Sequence, residues 1–262
     1  MPAWTHELPL FWLWVVLFGL VLGSFLNVVI YRLPRGESLW RHRSRCPQCG
    51  HQIAAYDNIP VLSYLLLRAR CRHCGTRIPG RYPLVELLGV LCLGLAAWVS
   101  PSLTSAVVRA AFLLAMVVVF FVDLDHRIIP DEISLGGIVV GLAAAPWVGV
   151  GRVDALIGAA VGVVSFLLIA VGYQKLRGIS GMGGGDIKLA GALGAFLGWK
   201  GFLLTVVLGS LAGSMLGILL LARRRATGQT ALPFGCFLAP AGALVILVGQ
   251  QVWAWYLALR VS

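Results

Sequence analysis

Residues 10–31 read LFWLWVVLFGLVLGSFLNVVIY, twenty-two residues without one charged side chain. At a rise of ~1.5 Å per residue they make a helix of about 33 Å, close to the thickness of a bilayer's hydrocarbon core. The rest of the chain has the same character. Of 262 residues, 59% are hydrophobic and 12% charged, and the mean hydropathy is +0.90. A soluble fold needs a polar surface that this composition cannot cover, so the chain reads as an all-α polytopic membrane protein.

Seven further apolar segments follow, at 83–99, 104–122, 133–148, 155–173, 187–197, 201–221 and 233–257. The expectation is therefore about eight transmembrane helices, of which 187–197 is the shortest and is rich in Gly and Ala. The spacings Gly158–Gly162, Gly194–Gly198 and Gly213–Gly217 suit close helix packing. The charges order these spans. Arginines follow the first span, ten of them between Arg32 and Arg81, and basic residues recur at Arg127, Lys175, Arg177, Lys188 and Arg223-Arg224-Arg225. Strict alternation puts these seventeen on one face and leaves Arg109, Arg152, Lys200 and Arg260 on the other. By the excess of Lys and Arg in cytoplasmic loops, the N-terminus lies outside and 32–81, 123–132, 174–186 and 222–232 face the cytoplasm. The net charge of +11 thus reads as topology in a multi-pass membrane protein. No nucleic-acid partner is expected, because no aromatic-interleaved basic face accompanies the charge. The start, MPAWTHELPL, lacks a basic n-region and a small-residue cleavage site, so the first span is expected to be an uncleaved anchor. The chain divides into a first helix (1–31), a cytoplasmic loop (32–82) and a seven-helix core (83–262).

The loop carries CPQC, with Cys46 and Cys49, and CRHC, with Cys71 and Cys74. Each pair is followed by a glycine, Gly50 or Gly75, which suits the tight turn beneath a thiolate-bound ion. Two such pairs read as a four-cysteine zinc site, and four thiols on a reducing face ligate metal rather than pair as disulfides. Four protein ligands leave no position open for substrate, so the zinc is structural and holds a subdomain too small to build its own core. His51 and His73 are read as neighbours of this site, and Cys92 and Cys236 as packing within spans.

Two acids stand out because each sits at the apolar edge of a segment on the same expected face. Asp123 lies in FVDLDHRIIPDEISL, and Asp186 follows the glycines of GMGGGDIK (181–188). Acids at a membrane edge are expensive and read as functional by default. If their helices pack together, the two carboxyls share a proton. One then takes a proton from water while its protonated partner polarises a carbonyl, as in aspartic proteases. Gly183, Gly184 and Gly185 would let an extended substrate backbone approach. Asp125 is read as a supporting residue or as a headgroup-level acid, whereas Asp131 and Glu132, after Pro130, read as acids that stabilise a helix start. The glycine run fits neither phosphate-binding fingerprint.

At these residues the sequence resembles the type IV prepilin peptidases, which are bifunctional leader peptidases and N-methyltransferases. The blocks that carry the likeness are GSFLNVVIYRLP (23–34), the cysteine segment 46–86, DLDHRIIPDEISL (123–135) and GMGGGDIKL (181–189). Tyr64 stands where the family pattern has tryptophan. The resemblance implies that Asp123 and Asp186 are the catalytic pair, Asp186 being the acid of the GxGD motif. It implies a prepilin or pseudopilin substrate with a basic leader and an apolar N-terminal helix, taken from the bilayer and cut after glycine at the cytoplasmic face. It also implies N-methylation of the new terminus with S-adenosylmethionine, for which Asp57 and Glu86, lying in matching blocks, are the candidate contributors. The competing readings are a proton-coupled transporter using membrane-edge aspartates and a zinc-loop scaffold without chemistry.

Overall fold

A computed structural model of the chain describes residues 9–41, 43–179, 181–223 and 233–261. The first eight residues and the Arg224-Arg225 end of the basic cluster lie outside the described residues. The helices are α1 (Pro9–Arg32), α2 (Leu62–Leu66), α3 (Arg81–Val99), α4 (Leu103–His126), α5 (Asp131–Ala144), α6 (Arg152–Arg177), α7 (Gly184–Ala222) and α8 (Gly235–Val261). Among the described residues, the only β pairing is two isolated bridges, Arg45 with Gln52 and Arg70 with Arg77. Among the described residues, seven helices, all but the short α2, are long and apolar enough to cross a membrane, α5 together with the 3-10 turn that continues it to Val148.

The sixth and seventh segments expected from the sequence both fall within α7. Its 39 residues would extend about 58 Å if straight, nearly twice the ~30 Å hydrocarbon core. The helix is broken at Gly198, whose φ of 68° and ψ of 173° are not helical. A left-handed φ at a crowded position favours glycine, and a Cβ here would lie 3.1 Å from Val150 Cγ1. The break separates a short first segment from a longer second one.

Contacts group the chain into two units, 1–114 and 115–262, with the boundary inside α4. In the first unit α1 packs on α3 with backbones touching. A Cβ at Gly23 would lie 2.5 Å from Glu86 Cα, and one at Gly89 would lie 2.3 Å from Gly19 O. Lipid tails are as apolar as leucine, so helices in a membrane gain from close van der Waals contact, which only small residues allow. Buried charges here are met by local acceptors. The Arg109 guanidinium reaches the Ser100 and Ser105 hydroxyls. Arg32, at the end of α1, donates to the carbonyls of Ser38 and Leu39 at 3.2 Å each and of Arg43 at 3.5 Å, which ties the following loop to the helix end.

In the second unit the first segment of α7 is enclosed: every residue from Leu189 to Gly198 is buried. Gly158 and Gly162 of α6 meet it where a Cβ would lie 2.3 Å from the carbonyl oxygens of Gly194 and Ala190. On α5, Gly141 faces Ala195 and Phe196 in the same way. The second segment packs on α8, with Gly209 against Leu238 and Gly213 against the Phe237 ring. Two helix ends in this unit turn on left-handed residues: Gly178 closes α6 with its N–H on Gln174 O, and Arg127, at φ 55°, closes α4 with its N–H on Asp123 O.

Candidate metal centre and active site

In the loop of the first unit, the two cysteine pairs form matching turns. Gly50 N–H donates to Cys46 O at 2.9 Å and Gly75 N–H to Cys71 O at 3.0 Å, with φ 69° at both glycines. The turns converge so that one sulfur from each of Cys46, Cys49, Cys71 and Cys74 lies within 4.8 Å of the others. Cys46 Sγ and Cys74 Sγ are 3.8 Å apart. Zn–S bonds of ~2.3 Å in a tetrahedron require S···S separations of about 3.8 Å, whereas a disulfide needs ~2.05 Å. All six cysteines are free thiols. The backbone N–H groups of Cys74 and His73 lower the Cys71 thiol toward the thiolate, while Cys74 is raised despite the Thr76 N–H, by burial and the neighbouring sulfurs. The His51 and His73 rings lie beside the cluster with centroids 3.3 Å apart and planes tilted by 31°. The donor set therefore fits a metal ion bound by four sulfurs.

In the second unit, Asp123 and Asp186 come within electrostatic reach of each other. Each is held by helix N-terminal amides. Asp186 is the third residue of α7, whose N-cap is Gly183, and it takes a backbone hydrogen bond from Gly183. This is the returning half of a capping box, so the acid also stabilises the start of its own helix. Asp123 is buried on the last turn of α4. Its Oδ2 accepts from Cys236 N–H at 3.0 Å and is crowded by Gly235, where a Cβ would lie 2.7 Å away. The first turn of α8 thus presents positive dipole ends to this carboxylate. Ile129, six residues after Asp123, packs against the starts of both α7 and α8. It touches both Gly185, whose Cβ would sit 3.0 Å from Ile129 Cβ, and Gly235, at 3.2 Å from Ile129 Cδ1.

The three glycines before Asp186 have different surroundings. Gly183 and Gly184 are exposed, and a Cβ on Gly184 would meet nothing within 4 Å, whereas Gly185 is packed against Ile129. Asp125 is exposed at the end of α4 and lies within electrostatic reach of Cys236. Asp131 and Glu132 occupy the first turn of α5, and Asp131 also pairs with Lys188 Nζ at 2.7 and 2.8 Å. This ion pair fastens α5 to the start of α7. Sequence reasoning missed the Gly235–Cys236 amides; the only local signal is Pro233, two residues ahead of the first helical residue and of the apolar run.

Asp57 and Glu86 both lie in the first unit. Arg72 grips Asp57 through both carboxylate oxygens, with contacts of 2.6 to 3.1 Å, and these hydrogen bonds hold the carboxyl below its ordinary range. Glu86 is buried on α3, where Oε2 accepts from Val61 N–H at 2.7 Å and Ser24 supplies a side-chain hydrogen bond.

The chain matches the family model described as the Bacterial Peptidase A24 N-terminal domain over residues 17–100. A second model, the Type IV leader peptidase family, matches residues 110–218. Among similar proteins is a prepilin leader peptidase/N-methyltransferase of Myxococcus xanthus (strain DK1622), 46% identical over 229 residues, covering 85% of this chain and 67% of that protein. A protein of the same name from Aeromonas hydrophila is 40% identical, covering 97% of this chain and 96% of its own length. One from Pseudomonas aeruginosa is 36% identical, covering 97% and 95%. No solved structure matches the chain.

Proposed function

The chain belongs to the type IV leader peptidase family, and from that premise we propose that Asp123 and Asp186 perform its aspartyl proteolysis. The protein is a multi-pass bacterial membrane enzyme, a prepilin leader peptidase and N-methyltransferase. The observation that carries the site is the convergence of the two acids at the N-termini of α7 and α8.

One carboxylate takes a proton from water as the water oxygen bonds to the scissile carbonyl carbon. Its partner gives a proton to the carbonyl oxygen. Collapse of the tetrahedral adduct breaks the C–N bond, and the departing nitrogen takes up the proton first removed from water. Exposed backbone at Gly183 and Gly184 supports approach of an extended substrate chain, while Gly185 serves packing on Ile129. Asp125, at the exposed end of α4, is proposed to support the site from its rim. The peptidase core lies within 83–262, and 32–82 is an insertion stapled by zinc, for which the four-sulfur spacing speaks. The substrate is a prepilin or pseudopilin with a basic leader, cut after glycine at the cytoplasmic face of the inner membrane. The arginine distribution supports that orientation, with the N-terminus periplasmic. S-adenosylmethionine would supply the methyl group for the new terminus. The transporter alternative has no support, since both family models describe peptidases.

The test is cleavage of a prepilin-type substrate in detergent by Asp123→Asn and Asp186→Asn, with methylation of a pre-cleaved substrate followed separately. Asparagine keeps the shape but cannot take up the proton. Cleavage is expected to fall by about 10³-fold or more in each variant. A rate near that of the unaltered chain in either one would overturn the assignment.

A further inference from the structure

The cysteine loop folds back over α1 and α3, enclosing a cavity of about 660 Å³ with Glu86 in its wall. Glu86 also gives the depth of the loop. It accepts Val61 N–H at 2.7 Å and a side-chain hydrogen bond from Ser24, so the start of α2 is pinned where the two spans meet. α3 has 19 residues and reaches about 28 Å, so it needs its whole length to cross a hydrocarbon core of ~30 Å. Glu86 is the sixth residue of α3, which at ~1.5 Å per residue places it about 7 Å inside the Arg81 end. A second tether agrees. Trp40 stacks on Phe25, the residue after Ser24, with ring centroids 5.4 Å apart.

At this depth α2 is turned inside out for a water-facing loop. Ser63 is buried, donating its hydroxyl to Tyr56 O at 2.8 Å and accepting Ile59 N–H at 3.1 Å. Leu62, Leu65 and Leu66, spaced i, i+3 and i+4 on one face, are 49%, 64% and 74% exposed. Trp40 is 83% exposed. Left-handed backbone brackets the helix, with Val61 at φ 60° and Arg68 and Ala69 at 49° and 57°, so the chain itself fixes which face turns outward. Large apolar side chains held outward mark a contact surface.

The charges choose what covers it. Arg41, Arg43, Arg45, Arg68 and Arg70 are exposed and follow these residues in the chain. Between Ser38 and Cys71 the one acid is Asp57, which Arg72 already grips. A basic leader, or the same surface of a second copy, would meet like charge. Phospholipid supplies both parts: acyl carbon for the leucines and the tryptophan, and phosphate for the arginines.

We propose that α2 and Trp40 insert into the lipid around α1 and α3, at the boundary of headgroups and acyl chains, with the neighbouring arginines on phosphate. The depth of about 7 Å is that of interfacial helices, which lie ~5–10 Å into this boundary. The cysteine loop is thus seated in the membrane surface rather than hung from it.

The test reconstitutes the full chain in vesicles of phosphatidylethanolamine and phosphatidylglycerol. These are doped with a phospholipid carrying a photoactivated diazirine near the glycerol end of one acyl chain, and adducts are mapped by mass spectrometry. Adducts on Trp40 and on 59–66 should exceed those on 46–52, the polar turn of the same loop, by about fivefold or more. The double variant Leu65→Asp, Leu66→Asp should lower the 59–66 adducts by a similar factor and leave those on α1 unchanged. Both leucines are exposed, so melting and bound metal per chain should match the unaltered protein. Equal labelling of 59–66 and 46–52 in the unaltered chain overturns the proposal. So does loss of the adducts when a prepilin is added or when the chain is concentrated in the bilayer, which would assign the surface to substrate or to a second copy. The readout needs no cleavage, so it stands or falls apart from the aspartate pair.

Discussion

The cysteine loop and the paired carboxylates are built in opposite ways. In the loop, each turn closes within five residues, Cys46 to Gly50 and Cys71 to Gly75, and four sulfurs then meet around a space the size of an ion. Its order is local, and a metal completes it. The carboxylates are joined by no local turn. Asp123 takes its amide from Cys236, 113 residues away, and lies 63 residues before Asp186. Their meeting depends on how α4, α7 and α8 pack. Chemistry carried by a local turn survives rearrangement of the helices, whereas chemistry carried by helix ends is as fragile as the packing beneath it.

That contrast can be broken most forcefully at the helices. Gly158→Leu should destabilise the second unit by about 3 kcal/mol or more, because its side chain would push against the backbone of Gly194, Gly198 and Trp199. Melting in detergent and cleavage should both collapse, while bound metal per chain is retained. Retained cleavage would mean that the acids do not need this packing. Removing the metal is the converse. Cys46→Ser, or a strong chelator, should take bound metal to zero and open residues 33–80 to protease, with the second unit still resistant. Protease cuts spread through α5–α8 would show that the loop's order is not local. A finer cut divides the glycines. Gly184→Leu should leave melting unchanged but lower kcat/KM about tenfold or more, since its side chain would enter the open space over the exposed backbone. Gly185→Leu should lower melting as well, through Ile129. Equal effects in the two variants would remove the distinction between access and packing.

Smaller effects come from ion pairs. A double-mutant cycle on Asp131 and Lys188 should give a coupling of about 0.2–1 kcal/mol, as for other exposed pairs. Arg72→Gln should do less still in mild acid. The Arg72 hydrogen bonds depress the Asp57 carboxyl, so its contribution is intact above the ordinary value near 3.8 and is lost only as pH falls through a lower one. Acid release of the metal above about pH 4 then reflects the thiolates, and its midpoint should be the same in Arg72→Gln. A displaced midpoint would mean the pair also braces the sulfur cluster.

What the sequence made legible follows the same division. The CxxC turns, their left-handed glycines and the acids at the starts of α5 and α7 are short-range patterns, and each was readable from its neighbours. The membrane spans were readable from composition, but α7 was not: two apolar segments separated by Gly198 look alike whether the chain turns fully or only breaks its helix. The close contact of Gly19 and Gly23 with Gly89, the Lys188–Asp131 pair and the amides that hold Asp123 join distant segments, and no local signal announces a partner across that distance. Glu86 was picked out by resemblance, yet the cavity behind it forms only when the loop folds back over α1 and α3.

The burial of Leu189–Gly198 has a consequence for how the enzyme meets its membrane. For these ten residues the solvent is protein. The depth of the segment that begins with Asp186 is set by α5 and α6, not by the length of the surrounding acyl chains. Thicker or thinner bilayers can tilt the lipid-facing helices around it, while the acid at its end keeps its registry with Asp123.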